Sequence, residues 1–200
     1  MSAYRVVVRS QVRTDAHNRA WQASRPSTRR AGHDGFVLVV RATRKLLAHV
    51  GGPTVAEDHR CTTQLGEWYA TVLNWRRRVT LLVNEPTLLP VLLPLAPAAT
   101  WTSRLAQQIA ANLTAHDAPT QFITAELRHM QHHRLDTTAN RSVVGVMNEF
   151  AYLAEAYRHD TRDDLLDLSL RLSATPCGPL YRENISPDRE LAATLRSSRT

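Results

Sequence analysis

The stretch LGEWYATVLNWRRRVTLLVNEPTLLPVLL, residues 65–93, contains the pattern on which the fold depends. Its first segment, residues 65–75, is rich in aromatic and β-branched residues, which are typical of strands. Three arginines follow, Arg76–Arg78, and residues 79–83 resume the apolar run. Two such segments on either side of a short polar turn predict a β-hairpin.

The elements around this hairpin predict an α+β fold. Residues 88–93 form a third apolar run, and Pro90 places it at a sheet edge or bulge because proline donates no ladder hydrogen bond. Before the hairpin, residues 36–40 predict a strand. Helices are predicted over residues 44–50, 100–115, 120–130, 141–159 and about 161–175, with a strand over 133–138 and a further amphipathic piece between 187 and 196. Because strands mostly precede helices, we expect a small antiparallel sheet with a β-hairpin, packed by four to five helices.

The net charge of +7 is concentrated at the N-terminus of the 200-residue chain. Residues 1–35 carry seven arginines and two aspartates, a net +5, whereas residues 36–200 carry a net +2. Residues 10–35 have almost no apolar periodicity, so they cannot bury enough surface to offset their ordering entropy. We therefore predict a disordered basic N-terminal extension over residues 1–35 and a single α+β domain over residues 36–200. A nucleic-acid-binding arm and an organellar transit peptide are the other two interpretations of the extension.

The composition also predicts the compartment. No run of eighteen apolar residues is present, so we expect no membrane association. Cys61 and Cys177 form no C-x-x-C pair, which favours a reducing, cytoplasmic environment over a disulfide framework.

The familiar catalytic and metal-binding motifs are absent from the sequence. There is no glycine-rich phosphate loop, no H-E-x-x-H and no nucleophile elbow. The histidines at 129, 132 and 133 have helical metal-ligand spacing but no local cysteine or carboxylate partner, and the aspartates at 160, 163, 164 and 167 suit a first helical turn. We therefore expect no metal and no cofactor.

The arginine turn permits two interpretations. Arg76–Arg78 could contact phosphate while Trp75 stacks on a base, as in single-strand binding proteins. A charged hairpin turn is also commonly just solvated.

The helix that begins at Arg141, with Asn140 as its predicted N-cap, carries an unusual polar stripe. At 100° per residue, Arg141, Gly145, Asn148 and Tyr152 lie on one side, opposite the apolar face. A mid-helix glycine costs about 1 kcal/mol relative to alanine, so we expect another group to approach the backbone at Gly145. Arg141 and Ser142 lie in the first turn, where free N–H groups attract anions. Alternatively, Arg141 pairs with Glu85, or else with Glu67, and the face packs on the hairpin.

Several of these segments in series resemble a bacterial family described as domain of unknown function 6933. The resemblance covers about residues 36–180 and rests on FVLVVRATRKLL (36–47), LGEWYA (65–70), RRVTLLVNEPTLLPVLLP (77–94), NRSVVGVMNEF (140–150) and LSLRLSATPCGP (168–179). The family implies no activity. It implies a set of characteristic polar positions, which here are Glu67, Trp68, Asn84, Glu85, Asn140, Arg141, Ser142, Asn148 and Glu149.

Two functional hypotheses follow. The first is an intracellular binding or regulatory module that engages a protein or a nucleic acid, with Glu67, Trp68, Asn84, Glu85, Arg141, Ser142 and Asn148 as the binding residues. The second is an enzyme acting on a small anionic or phosphorylated molecule, with Glu67 or Glu85 as acid/base and Arg141 as anion clamp. The absence of a nucleophile–base pair or metal set at readable spacing favours the first.

Overall fold

The computed structural model describes residues 37–53, 60–158, 164–178, 180 and 185–198. All of them lie in one unit of the chain, Gly35–Thr200. The predicted N-terminal extension, residues 1–35, lies outside the described residues.

Strands and helices follow the predicted order closely. The strands are β1 Val37–Ala42, β2 Trp68–Leu73, β3 Val79–Asn84, β4 Pro90–Pro94 and β5 His132–Thr137. The helices are α1 Arg44–Val50, α2 Trp101–Ala115, α3 Thr120–His129, α4 Arg141–Tyr157, α5 Leu165–Ser173 and α6 Pro187–Ser197. The α+β class is confirmed, although six α-helices in the described part exceed the four to five predicted. Across the described residues, no helix combines the length and the apolar character needed to cross a membrane.

The sheet is mixed, whereas an antiparallel sheet was predicted. Its strand order is β4-β3-β2-β1-β5. β2, β3 and β4 are antiparallel neighbours, but β1 runs parallel to both β2 and β5. Parallel neighbours need a crossover longer than a hairpin turn. Residues 43–67, which include α1, provide that crossover between β1 and β2, and β4 lies at an edge as its proline predicted.

One face of the sheet, which we call the first face, carries the larger core. Leu38, Trp68 and Leu82 point to this side, where they pack with α1, α2, α3 and α6. Trp101, Leu105, Ile109 and Leu113 of α2 are fully buried there, because their four-residue spacing places them on one side of the helix. The Trp101 indole N–H donates to Thr80 Oγ1 over 2.9 Å, so the polar atom of this buried ring is satisfied.

The opposite face, the second face, is covered by α4 and α5. Tyr69, Leu81 and Val83 of the hairpin pack with the apolar side of α4, where Met147 and Phe150 are buried. The beginning of α4 lies near Glu85, and the end of α4 lies near the arginine turn. The candidate site residues therefore divide between the two ends of this helix.

Candidate functional site

Two of the predicted binding residues, Trp68 and Asn84, are fully buried. Asn84 Nδ2 donates to the Leu65 carbonyl over 2.9 Å. Asn84 Oδ1 accepts from the amide and the hydroxyl of Thr87, over 3.1 and 2.7 Å. Asn84 thus holds the turn between β3 and β4, and Trp68 lies in the core of the first face.

Glu67, the residue before β2, belongs to a chain of charges that continues across β1 and β5 on the second face. Both of its carboxylate oxygens accept from Arg41 of β1. Arg41 also lies 3.5 Å from Asp136 of β5, which in turn lies 3.3 Å from Arg134. The hydrogen bond to Glu67 is the main cause of a raised Arg41 pKa. The network is half-buried and internally matched, so its carboxylates already have cationic partners.

Glu85 connects the hairpin to the beginning of α4. Glu85 Oε1 accepts from the side-chain Nδ2 of Asn140 over 3.0 Å. The backbone N–H of Asn140 donates to the Tyr69 hydroxyl, also over 3.0 Å. Asn140 Oδ1 accepts from the Ser142 amide, which confirms the predicted helix cap. Burial, followed by the charge of Glu85, raises the pKa of Tyr69. Asn140 therefore links strand, turn and helix, while the Ser142 side chain is exposed.

Arg141 does not pair with Glu85 or Glu67, and this prediction was wrong. The side chain is exposed and makes no hydrogen bond or ion pair within the described part of the chain. The physical reason is helical phase: Asn140 faces the hairpin, and the next residue turns toward solvent. Glu67 and Glu85 lie on paired backbone, since the Glu85 backbone N–H donates to the Glu67 carbonyl over 2.9 Å. Arg141 contacts neither carboxylate, so it does not act as an anion clamp beside them.

The outward side of α4 is also uncovered at Gly145. A Cβ built at this glycine would meet nothing within 4 Å, so the expected close approach is not made by any described residue. Arg141, Gly145, Asn148 and Glu155 are exposed, and Tyr152 exposes 77% of its surface. We call these five residues the α4 stripe.

Arginines and aromatic residues meet at the other end of α4. Arg76–Arg78 are exposed in the hairpin turn, and Trp75 beside them is half-buried. The Arg158 guanidinium lies 5.5 Å from the Trp75 ring centre. The Arg171 guanidinium of α5 lies 4.1 Å from the Tyr157 ring centre. We call this cluster of Arg76–Arg78, Arg158, Arg171, Trp75 and Tyr157 the arginine tip.

The chain matches a known protein-family model. The model of the family described as Domain of unknown function (DUF6933) matches residues 39–190, which is more than half of the chain. The chain belongs to the DUF6933 family. No curated protein and no solved structure matches it. The family match runs from β1 into α6 and so includes both ends of α4.

The DUF6933 domain also contains a buried acid that the sequence reasoning missed. Glu126 of α3 is 1% exposed, and its Oε1 accepts from the Leu65 amide over 2.6 Å. Oε2 has no hydrogen-bond partner among the described residues. Burial raises the pKa of Glu126 to about 7. The spacing of Phe122, Glu126 and Met130, four residues apart on one helix side, was the signal available in the sequence.

Metal binding finds no support in the described part of the domain. No group of three or more histidines, cysteines and acids there could hold an ion. His129 ends α3, whereas His132 and His133 lie on β5, so the three do not share a helix. Cys61 and Cys177 are free thiols, and burial raises the pKa of each.

Proposed function

We propose that this DUF6933 domain is a binding module for single-stranded nucleic acid and that the arginine tip is its contact surface. The observation that carries the proposal is the meeting of five arginines and two aromatic rings at one end of the molecule. These residues come from the hairpin turn, the end of α4 and α5, so the fold assembles what the sequence separates.

The charge of the tip suits a phosphate backbone. Arg76, Arg77 and Arg78 project from a tight turn between two paired strands, where their side chains are exposed. Guanidinium groups bind phosphate oxygens in a fork geometry that lysine cannot reproduce. A rigid hairpin thus presents three such groups without further ordering of the backbone.

The aromatic rings suit unpaired bases. Trp75 and Tyr157 each hold a guanidinium group over the ring by cation–π attraction. An incoming base would stack on that guanidinium plane or take its place on the ring. Stacking of a base on such a ring contributes about 1–3 kcal/mol per base and needs no particular sequence. The combination favours single-stranded over duplex nucleic acid.

The remaining parts of the proposal follow from composition. The N-terminal extension, with its net +5, would add sequence-independent affinity. The free thiols Cys61 and Cys177 favour a cytoplasmic setting. The enzyme hypothesis is the weaker one because Arg141, its anion clamp, is exposed and contacts neither Glu67 nor Glu85.

The test is salt-dependent binding of a labelled oligonucleotide of about twelve nucleotides, measured by anisotropy with the full chain. In the tip variant, Arg76, Arg77 and Arg78 are all changed to Gln. Each phosphate contact contributes about 0.7 to the logarithmic salt slope of a single strand, so the tip variant should lose about 2 from that slope.

The matched control changes three exposed arginines outside the tip, Arg44, Arg128 and Arg189, to Gln. It removes the same charge and keeps the extension, so it should bind nearly as the parent does. Equal losses in the two triple variants would show that net charge, not the tip, determines binding.

A further inference from the structure

The α4 stripe is a polar and aromatic surface with no covering element among the described residues. Tyr152 exposes 77% of its surface on a 17-residue helix whose opposite side is buried against the sheet. Gly145, two turns before it, leaves the helix backbone bare. An exposed tyrosine on the same helix side as uncovered backbone is typical of a protein interface, because tyrosine is enriched among the residues that dominate binding.

The order of residues along the stripe is self-complementary. Residue 148 is the midpoint of residues 141–155, so a second copy lying antiparallel would place the partner's Glu155 opposite Arg141. The partner's Tyr152 would lie opposite Gly145, to within the rise of one residue, about 1.5 Å. Asn148 would face the partner's Asn148, and two amide groups can donate to and accept from each other.

We infer that the α4 stripe is a homodimer interface in which two α4 helices pack antiparallel about a two-fold axis at Asn148. A two-fold interface requires that residue i contact residue j and that residue j contact residue i. In the antiparallel pair the positive Arg141 lies opposite the negative Glu155 of the partner subunit. The small Gly145 lies opposite the large Tyr152 of the partner subunit. A second copy of the same helix therefore supplies both the complementary charge and the complementary shape.

Competing contacts within one chain are weak. Glu155 lies 3.0 Å from Arg158 one turn away, and its side chain is 53% exposed. Exposed ion pairs of this type exchange at little cost, so Glu155 can turn to the partner's Arg141. The beginnings of the two α4 helices lie at opposite ends of the pair, which keeps like charges apart.

The size of the stripe determines the strength of the dimer. From Arg141 to Glu155 the helix rises by about fourteen residues, a length of about 21 Å. A single helix face of this length is smaller than the roughly 800 Å² per partner that stable complexes bury. The dimer should therefore be weak and depend on protein concentration. The stripe adjoins the arginine tip at the Glu155–Arg158 ion pair, and antiparallel packing would place the two tips at opposite ends of the helix pair.

Sedimentation velocity of the nuclease-treated full chain, over a series of concentrations at physiological ionic strength, where charge pairs are not fully screened, tests the inference. The weight-average sedimentation coefficient of the parent should rise with concentration. Gly145→Gln should stay monomeric, since the side chain has open space in one chain but fills the place of the partner's Tyr152. Ala111→Gln, at an exposed position of α2, is the matched control and should behave as the parent.

A charge exchange tests the antiparallel register without relying on Gly145→Gln. Arg141→Glu and Glu155→Arg should each weaken self-association severalfold, because each places like charges opposite each other. The double variant should restore it. A parent that stays monomeric at every concentration, or a Gly145→Gln variant that associates as the parent does, would overturn the inference. A double variant no better than the single ones would do the same.

Discussion

Glu126 shows how one buried side chain can make the stability of the whole domain depend on pH. Its Oε1 accepts from the Leu65 amide in the segment that leads into β2, so α3 and the sheet are joined at this carboxyl. Burial removes the water that would solvate the charged form. Protonation of Glu126 therefore favours the folded state.

The domain should lose stability as pH rises from about 4.5 to about 7, the window between the ordinary pKa of Glu126 and its folded-state pKa. Over this window the folded state holds a proton that the unfolded chain releases, so the free energy of unfolding falls with pH. The contribution is about 3 kcal/mol and is fully present only below the lower value. Denaturant unfolding at a series of pH values measures it.

Glu126→Gln is the control for this prediction. It keeps an oxygen that accepts from Leu65 but cannot ionise. Burial lowers the pKa of His116 and of His133, which adds a trend of opposite sign to both proteins. The difference between parent and variant therefore isolates Glu126. A difference that does not change between pH 4.5 and 8 would contradict the assignment.

Adjacent residues at the beginning of α4 have different environments. Asn140 contacts Tyr69, Glu85 and Ser142, whereas Arg141 contacts none of the hairpin carboxylates. One residue of helix turns a side chain through 100°. The capping role of Asn140 was readable from the sequence, but the exposure of Arg141 was not, because both residues are polar and both lie near the hairpin in space.

At the scale of elements, α5 protects the edge strand β4. The Leu92 amide of β4 donates to Ser169 Oγ over 2.9 Å, and Ser169 is fully buried. Edge strands present unpaired N–H groups that can recruit other chains. Helix α5 covers this edge and satisfies one of its donors with a side chain.

Ser169→Ala should destabilise the domain by about 1–3 kcal/mol, because it leaves the buried Leu92 N–H without an acceptor. Alanine is the better helix former, so helix propensity acts in the opposite direction. The midpoint of urea unfolding measures the change. Ser103→Ala, at an exposed position of α2, should change stability little, and equal effects of the two substitutions would argue against a role for the Leu92 hydrogen bond.

At the scale of the whole molecule, charge and family boundaries point to the same division of the chain. The family match begins at residue 39, and the net +5 lies before residue 36. That residues 1–35 are disordered stays a prediction from their composition.

Residues 1–35 should be dispensable for folding. Limited proteolysis should remove them and leave a domain that unfolds cooperatively with an unchanged midpoint, because the apolar core lies within residues 37–198. Mass spectrometry of the resistant fragment identifies its ends. Loss of the cooperative transition after trimming would refute the predicted domain boundary.

Local features of the chain were predictable from the sequence. The hairpin around Arg76–Arg78, the cap at Asn140 and the edge position of β4 all depend on residues close together in the chain. Side-chain periodicity, capping groups and the missing N–H of Pro90 act over a few residues. Four residues of the α4 stripe, Arg141, Gly145, Asn148 and Tyr152, were also readable, since they share one side of a helix.

Contacts between distant segments were decided only by the tertiary structure. The parallel directions of β1 and β5, the pairing of Arg41 with Glu67 and the contact of Arg158 with Trp75 each join elements well apart in sequence. Such contacts depend on which faces meet when the crossovers close, and no local pattern encodes that choice. The burial of Glu126 depends on tertiary packing in the same way. Helix periodicity placed Glu126 in line with Phe122, but only the packing of α3 against the sheet excluded water from its carboxyl.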